Sequence, residues 1–243
     1  MPVNGGGKTR RSDPFRFDRQ FLAEIGERQG RGDLRLAGAD EAGRGCLAGP
    51  LVAAAVVLDY AQRPVSVLRG LTDSKELTAA ERQAMYGRIL RVAKRVSWVA
   101  CSPRTIDQEG LHRSNLAALQ RALEGLQGDY RQALVDGFEV GRTDLRAVSL
   151  VDADYKSAAV AAASVVAKVV RDRLMRSLAP AHPQYGFDIH VGYGTEAHRQ
   201  ALKEHGPCCL HRLSFQGVGL LQLELWERHQ GEGGPGRTMV RGG

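Results

Sequence analysis

Cysteine is scarce in this chain of 243 residues, and the four present, Cys46, Cys101, Cys208 and Cys209, show no C-x-x-C spacing. That excludes a zinc ribbon or a thioredoxin-type redox motif, and the adjacent pair could close only a strained vicinal bridge. A zinc site built from Cys208, Cys209 and nearby histidines lacks the spacing that lets separate loops close a tetrahedron. Reduced thiols in a cytoplasm are expected. Long hydrophobic runs are missing too: none approaches the roughly 18 to 20 residues of a spanning helix, and no secretory signal opens the chain. No membrane is expected. Acidic residues are in deficit, with 27 Asp and Glu against 34 Lys and Arg, for a formal net charge of +7. That balance favours a polyanionic partner, nucleic acid ahead of an acidic membrane surface. There is no internal repeat and no clear linker between Arg31 and Ala179.

What remains is ordinary globular composition, 43% hydrophobic and 25% charged, on a chain long enough for one large domain or two modest ones. The most informative stretch runs from Leu36 to Asp59. Two apolar runs flank Asp40, Glu41, Gly43, Arg44 and Gly45. They read as a strand, a tight turn and a second strand doubling back. The acids therefore sit at a strand end, where they can meet metal or water instead of bearing the desolvation cost of a buried mid-strand position. Successive strand residues point to opposite faces, so Asp40 and Glu41 share one site only if the strand twists or breaks there. Gly43 and Gly45 supply conformational freedom and close approach, and Arg44 between them offers a planar fork suited to phosphate. The plain alternative is a solvated turn with an incidental acid pair.

Residues 1–14 are rich in glycine and basic charge and read as a disordered tail. Phe17, Phe21, Leu22 and Ile25 have helical spacing within a leading helix over 15–29. Thr78 and Glu81 form a capping-box pattern for a helix to about Lys94. The loop before it holds Asp73, Ser74 and Lys75, read either as a nucleic-acid contact or as a helix-entry turn. Val96–Cys101 is a short strand. A helix beginning at Thr105 or Asp107 should end near Gly125, with Leu116, Leu119, Leu123 and Leu126 as its inner stripe. Ala133–Val135 is a strand ending in Asp136, a third candidate ligand that alone would more often be a turn residue. After Val148–Val151, Asp152 and Asp154 compete for a fourth place, just before a long helix over 157–178. The small residues of its first half allow close packing on a sheet, and its basic second half should face water or a polyanion. From 182 to 211, Tyr185, Phe187 and Tyr193 lie among histidines and basic residues, a texture suited to nucleic-acid contact. Each histidine taken singly reads as structural. Helices over 195–204 and 218–229 and a glycine-rich disordered tail over 230–243 complete the chain.

Taken together these motifs resemble one family, ribonuclease HII, over roughly Leu36 to Phe215. The resemblance rests on D-E-A-G-R-G at 40–45 with the following G-P-L-V, L-T-D-S-K-E-L at 71–77 and L-V-D-G at 134–137. It continues through D-Y-K-S-A-A-V-A-A-A-S-V-V-A-K-V-V-R-D-R from Asp154, H-P-Q-Y-G-F at 182–187 and G-Y-G-T at 192–195. It implies an α/β ribonuclease H-like fold, a mixed β-sheet flanked by helices, in a catalytic domain over 15–181, with a small helical C-terminal, substrate-contacting extension over 182–229. It also implies that Asp40, Glu41, Asp136 and Asp154 are the catalytic metal ligands. Gly43, Arg44 and Gly45 would read the 2′-hydroxyl and phosphates at a ribonucleotide, and Tyr193 would pack on the sugar at an RNA-to-DNA junction. Such enzymes cut the RNA strand of RNA·DNA hybrids and nick 5′ to a lone ribonucleotide in duplex DNA, leaving 5′-phosphate and 3′-hydroxyl ends. Some positions depart from the family pattern: Ala153 and Tyr155 flank Asp154, Val191 stands where lysine is usual, and Cys208 and Cys209 replace Ser-Pro.

Four carboxylates without a nearby thiol favour Mg²⁺ or Mn²⁺. Two such ions could activate water and stabilise the leaving oxygen, with Arg44 and Lys75 as helpers. A ribonucleotide-blind nuclease of the same superfold and a non-catalytic hybrid-binding protein are the rival readings. A monomer is the default.

Overall fold

The computed structural model describes residues 13–29, 33–61 and 65–219. In chain order its elements are α1 (Pro14–Gln29), β1 (Arg35–Ala42), β2 (Leu51–Asp59), α2 (Ala79–Val92), β3 (Arg95–Cys101), α3 (Pro103–Glu109), α4 (Leu111–Glu124), β4 (Gln132–Asp136), β5 (Ala147–Leu150), α5 (Ala153–Lys156), α6 (Ala158–Leu178), α7 (Phe187–His190) and α8 (Glu196–His205). The strands form one mixed sheet in the order β3-β2-β1-β4-β5. β2 runs antiparallel to β1 and β3, whereas β4 is parallel to β1 and β5. Of the tail expected over 1–14, residues 1–12 lie outside the described residues, and Pro14 already belongs to α1. The helix expected over 218–229 lies outside them beyond Gly219, as does the tail over 230–243.

All nine residues of β2 are buried, as a continuous apolar run demands when both faces of a strand are covered. Alternation along the strands sends Leu36, Val52, Ala54, Val56 and Leu58 toward α2 and α6. Ala37, Ala39, Ala53, Ala55 and Val57 pack with Leu119 and Leu123 of α4 on the other face. The link between β1 and β2 is longer than the expected tight turn, spanning residues 43–50.

Helix α6 lies almost on the backbone of β1. A Cβ at Gly38 would stand 2.1 Å from the carbonyl carbon of Ala159 and 2.2 Å from the nitrogen of Val160. The start of the helix is pinned: Ser157 caps it by accepting from the Val160 N–H at 3.3 Å. Buried Asp18 of α1 accepts from the Ala159 N–H at 3.0 Å and from the Tyr60 hydroxyl. The expectation that the basic half faces water or a polyanion holds only in part. Arg173 and Arg176 are exposed, but Arg171 is completely buried beneath the loop that joins β1 to β2.

The single helix expected from Thr105 or Asp107 is two helices, broken at Gly110 with φ +85°. Ser102 caps the first, accepting from the Thr105 N–H. Within α4, Ser114, Asn115, Ala118, Leu119, Ala122 and Leu123 face inward while Leu116 is only half-buried. The expected capping box is present, with the Thr78 hydroxyl accepting from the Glu81 N–H at 3.3 Å and Glu81 accepting from the Thr78 N–H at 2.9 Å.

The contact at Gly38 sets how deeply α6 seats, and a methyl group there has only helix backbone to displace. Gly38→Ala should lower stability by about 2 kcal/mol or more, read as a reduced midpoint in urea. An unchanged midpoint would mean that the sheet and α6 separate without cost.

Candidate active site

Asp40 and Glu41 lie two and one residues from the carboxyl end of β1, and the ladder to β2 continues unbroken through Ala42. The break considered between them does not occur. They leave opposite faces of a regular strand, Asp40 on the α6 side and Glu41 on the α4 side. What lets both reach one rim is the strand's end, where Gly43 turns the chain at φ +91°. Ala39 pairs with Val135 in the parallel ladder, so Asp136 ends β4 alongside Asp40. Asp154 sits in α5, just after β5, and is 5% exposed. Its rival Asp152 is exposed on a left-handed residue before the helix. The Asp136 carboxylate accepts from the Ala153 N–H at 2.7 Å, which ties the end of β4 to α5.

The electrostatics show a cluster short of positive charge. Burial, with repulsion from Glu41 and Asp136, holds Asp40 well above the usual carboxylate range. Burial pushes Glu41 up to about 7, against the pull of Arg44 and Asn115 and with the push of Asp136. Burial also raises Asp136, and burial followed by repulsion from Asp136 and Asp73 raises Asp154 to about 6. Lys75 answers this field: burial opposes its charge, but Asp73, Asp40 and Asp154 outweigh it and raise its pKa. Its ammonium lies 3.8 Å from Asp73.

Among the described residues no three His, Cys, Asp or Glu side chains already converge as a cation cage. Repelling carboxylates turn to other donors instead, Asp40 to the Glu41 N–H at 2.7 Å and Asp136 to Ala153. One oxygen is left over. Glu41 Oε2 is buried without a hydrogen-bond partner, a costly state for a carboxylate that a cation would relieve. An all-oxygen donor set with an orphaned buried oxygen fits a hard divalent ion.

The Gly43–Gly45 turn continues directly from these acids. Arg44 places its Nε 3.7 Å from Glu41 Oε1 and its guanidinium 4.7 Å from the Phe138 ring centre. Nothing lies within 4 Å of where a Cβ on Gly45 would stand, so its backbone is open to approach. Tyr193 arrives from the C-terminal part. The N–H groups of Leu47 and Ala48 donate to the Gly192 carbonyl at 3.0 and 3.3 Å, fastening its loop to the one after Gly45. Tyr193 is 41% exposed, with Lys168 Nζ 4.9 Å from its ring centre. Around it His198 and His211 share an N···N contact of 3.1 Å, and His190 stacks on His198 at 4.4 Å. Burial depresses His198 and lowers His211 to about 4, so both are neutral packing groups, as read from the sequence.

Sequence reasoning missed Asn115 and Arg212, and it did not count Asp73 among the acids. Asn115 is fully buried beside Glu41, with both amide atoms unpartnered; it lies four residues before Leu119 on the inner face, where a polar side chain gives no apolar signal. Asp73 is a buried fifth acid that accepts from the Lys75 N–H and the Tyr155 hydroxyl, each at 3.1 Å. The loop is thus a helix-entry turn, and it also lies beside the acids. Arg212 is buried and donates to the Arg44 carbonyl at 2.8 Å and to Gly49 at 2.9 Å.

Acids gathered outside the carboxyl ends of parallel strands, next to a basic turn on a net basic chain, define a nucleic-acid hydrolase of ribonuclease H-like fold. The solved structure of ribonuclease H2 from Pyrococcus horikoshii OT3 supports the fold: it matches 79% of this chain and 99% of its own at a TM-score of 0.68 and 23% identity. Residues 37–218 match the family described as Ribonuclease HII. A ribonuclease HII of Xanthobacter autotrophicus is 48% identical over 195 residues, covering 80% of this chain and 76% of the relative. One of Brucella suis is 46% identical over 210 residues, covering 84% and 94%. The chain belongs to the ribonuclease HII family. It is accordingly a ribonuclease H, a hydrolase of RNA paired with DNA.

The raised acids carry a sign that can be tested in chelator. Glu41 holds its proton to about pH 7 when folded, well above the ordinary glutamate value near 4.5. Its favourable contribution is present at or below about pH 4 and is lost as pH rises through 7. Glu41→Gln should therefore stabilise the metal-free protein by about 1–3 kcal/mol at pH 8, with the gain fading toward pH 4.5. A gain that grew on acidification would reverse the account.

Proposed function

We propose that this enzyme, besides hydrolysing the RNA strand of RNA·DNA hybrids, nicks duplex DNA on the 5′ side of a single embedded ribonucleotide. The products are a 5′-phosphate and a 3′-hydroxyl. The observation that carries the reading is the bonding of the Tyr193 loop to the chain just after Gly43–Arg44–Gly45, at the end of the strand that bears Asp40 and Glu41. Ribose can be told from deoxyribose only through its 2′-hydroxyl. The open backbone at Gly45 can approach that group, Arg44 can hold the neighbouring phosphate, and the exposed face of Tyr193 can pack on the next sugar. Residues 182–219 act as the substrate-contacting part of the molecule.

Asp40, Glu41, Asp136 and Asp154 would hold two divalent cations, Mg²⁺ or Mn²⁺. When bound, such a pair activates water on one side of the phosphorus and stabilises the leaving oxygen on the other. The protein's share is positional. The rim of β1 and β4 fixes two acids side by side, α5 brings in the third, and Glu41 reaches round from the α4 face. Lys75 and Arg44 place positive charge where the phosphorane gathers negative charge. The basic excess draws the duplex in from a distance, with a rate that falls as salt rises. The enzyme works as a cytoplasmic monomer, a setting that suits its free cysteines.

The test is cleavage of an end-labelled DNA duplex carrying one ribonucleotide, beside an all-DNA control, with Mg²⁺, with Mn²⁺ and with chelator. The expected product is a cation-dependent nick 5′ to the ribonucleotide and nothing on the control; cutting of both would refute ribose reading. Asp40→Asn should reduce the rate by about 10³-fold or more while duplex affinity stays within a fewfold. Arg44→Ala should lose more rate on the single-ribonucleotide duplex than on a continuous hybrid, and equal losses would make Arg44 a general phosphate contact.

A further inference from the structure

Arg171 has no place in the chemistry described so far, yet it is fully buried. Among the described residues no carboxylate pairs with it. Instead its guanidinium donates to three backbone carbonyls, from Nε to Pro50 at 3.0 Å, from Nη2 to Ala48 at 3.1 Å and from Nη1 to Val191 at 2.9 Å. Two of these belong to the loop that follows Gly45, and the third lies two residues before Tyr193. The same side chain lies directly under Gly43, where a Cβ would stand 1.9 Å from its Nε. Its guanidinium carbon is 5.7 Å from the centre of the Tyr193 ring.

A residue that only filled this space would do so with less desolvation cost as methionine, because burying a guanidinium is expensive unless its donors are used. Here the fixed planar fork is used to set the spacing of separate segments, which the point charge of a lysine cannot do. Val191 shows the consequence. It is β-branched and left-handed at φ +45°, a conformation such residues rarely adopt. The surroundings must hold it there against about 1–3 kcal/mol of strain, and the bond from Arg171 to its carbonyl does so.

We infer that Arg171 is a positioning residue for ribonucleotide selectivity: it locks the Gly43–Gly45 turn and the Tyr193 loop into one frame whose spacing matches a single ribose-to-deoxyribose step. This rests on the reading that the enzyme nicks at embedded ribonucleotides. A continuous RNA strand offers a 2′-hydroxyl in every register, so a loosened frame still finds productive placements. A lone ribonucleotide offers one register, and there a displacement of about 1 Å can cost on the order of 10²-fold.

The experiment compares kcat/KM on a single-ribonucleotide duplex and on a continuous RNA·DNA hybrid of the same length. The proteins are wild type, Arg171→Lys, Arg171→Gln, Tyr193→Ala and Arg171→Lys with Tyr193→Ala, at a temperature where circular dichroism finds wild type folded. At least one Arg171 variant should be folded and lose about tenfold more on the single-ribonucleotide duplex than on the hybrid, with the loss in kcat. On the Tyr193→Ala background, Arg171→Lys should cost less than about threefold further on that duplex, because coupled groups are not additive. Equal losses on both substrates, full multiplication of the two effects, or unfolding of both Arg171 variants would overturn the inference and leave Arg171 a folding residue. If wild type fails to nick the single-ribonucleotide duplex, the parent reading fails first and the inference falls with it.

Discussion

Repulsion among carboxylates held at one end of a sheet is the constraint on which the rest of this molecule depends. Asp40, Glu41 and Asp136 are placed by strand pairing and Asp154 by the short helix after β5, so their backbone positions are fixed by the sheet and the helix that follows it. Their pKa values are raised, and Glu41 keeps a buried oxygen without a partner. Such an arrangement lowers stability unless something positive completes it. The fold supplies the compensation elsewhere: β2 is buried along its whole length, and α6 is seated on β1 closely enough that only glycine fits at position 38.

The basic side of the site is organised on a different principle. Where the acids are set by the sheet, the turn at Gly43–Gly45 and the loop at Tyr193 are irregular chain, and irregular chain needs fastening. Backbone bonds from Leu47 and Ala48 to Gly192 join the two segments. Beneath them Arg171 and Arg212 spend buried guanidinium donors on carbonyls at 44, 48, 49, 50 and 191. This edge of the sheet thus combines an acidic rim with a basic clamp held together from below.

Much of this was legible from residues alone. Apolar runs ending in Asp40 and Asp136 located both strand ends, small residues announced a helix pressed on the sheet, and Thr78 with Glu81 marked a helix start. The resemblance to ribonuclease HII joined these local signals into one site. What stayed hidden depended on tertiary phase. Gly110 divides an apparently continuous helix, and Asn115, four residues before Leu119 on the inner face, carries no apolar side chain to announce itself. The choice between Asp152 and Asp154 turns on a left-handed residue that no pattern announces. Arg171 reads as one more charge on a basic helix face, because nothing in its neighbours along the chain reveals the carbonyls that meet it in space.

The central claim, that four acids from three segments act as one cation site, is tested most directly by Mn²⁺ binding to the intact protein. Free Mn²⁺ would be measured by electron paramagnetic resonance at pH 7.5, for wild type and for Asp40→Asn, Glu41→Gln, Asp136→Asn and Asp154→Asn. The account predicts saturable binding by wild type that each single substitution weakens by about tenfold or more. A variant that is folded and binds Mn²⁺ as wild type does would place its carboxylate outside the site and contradict the claim.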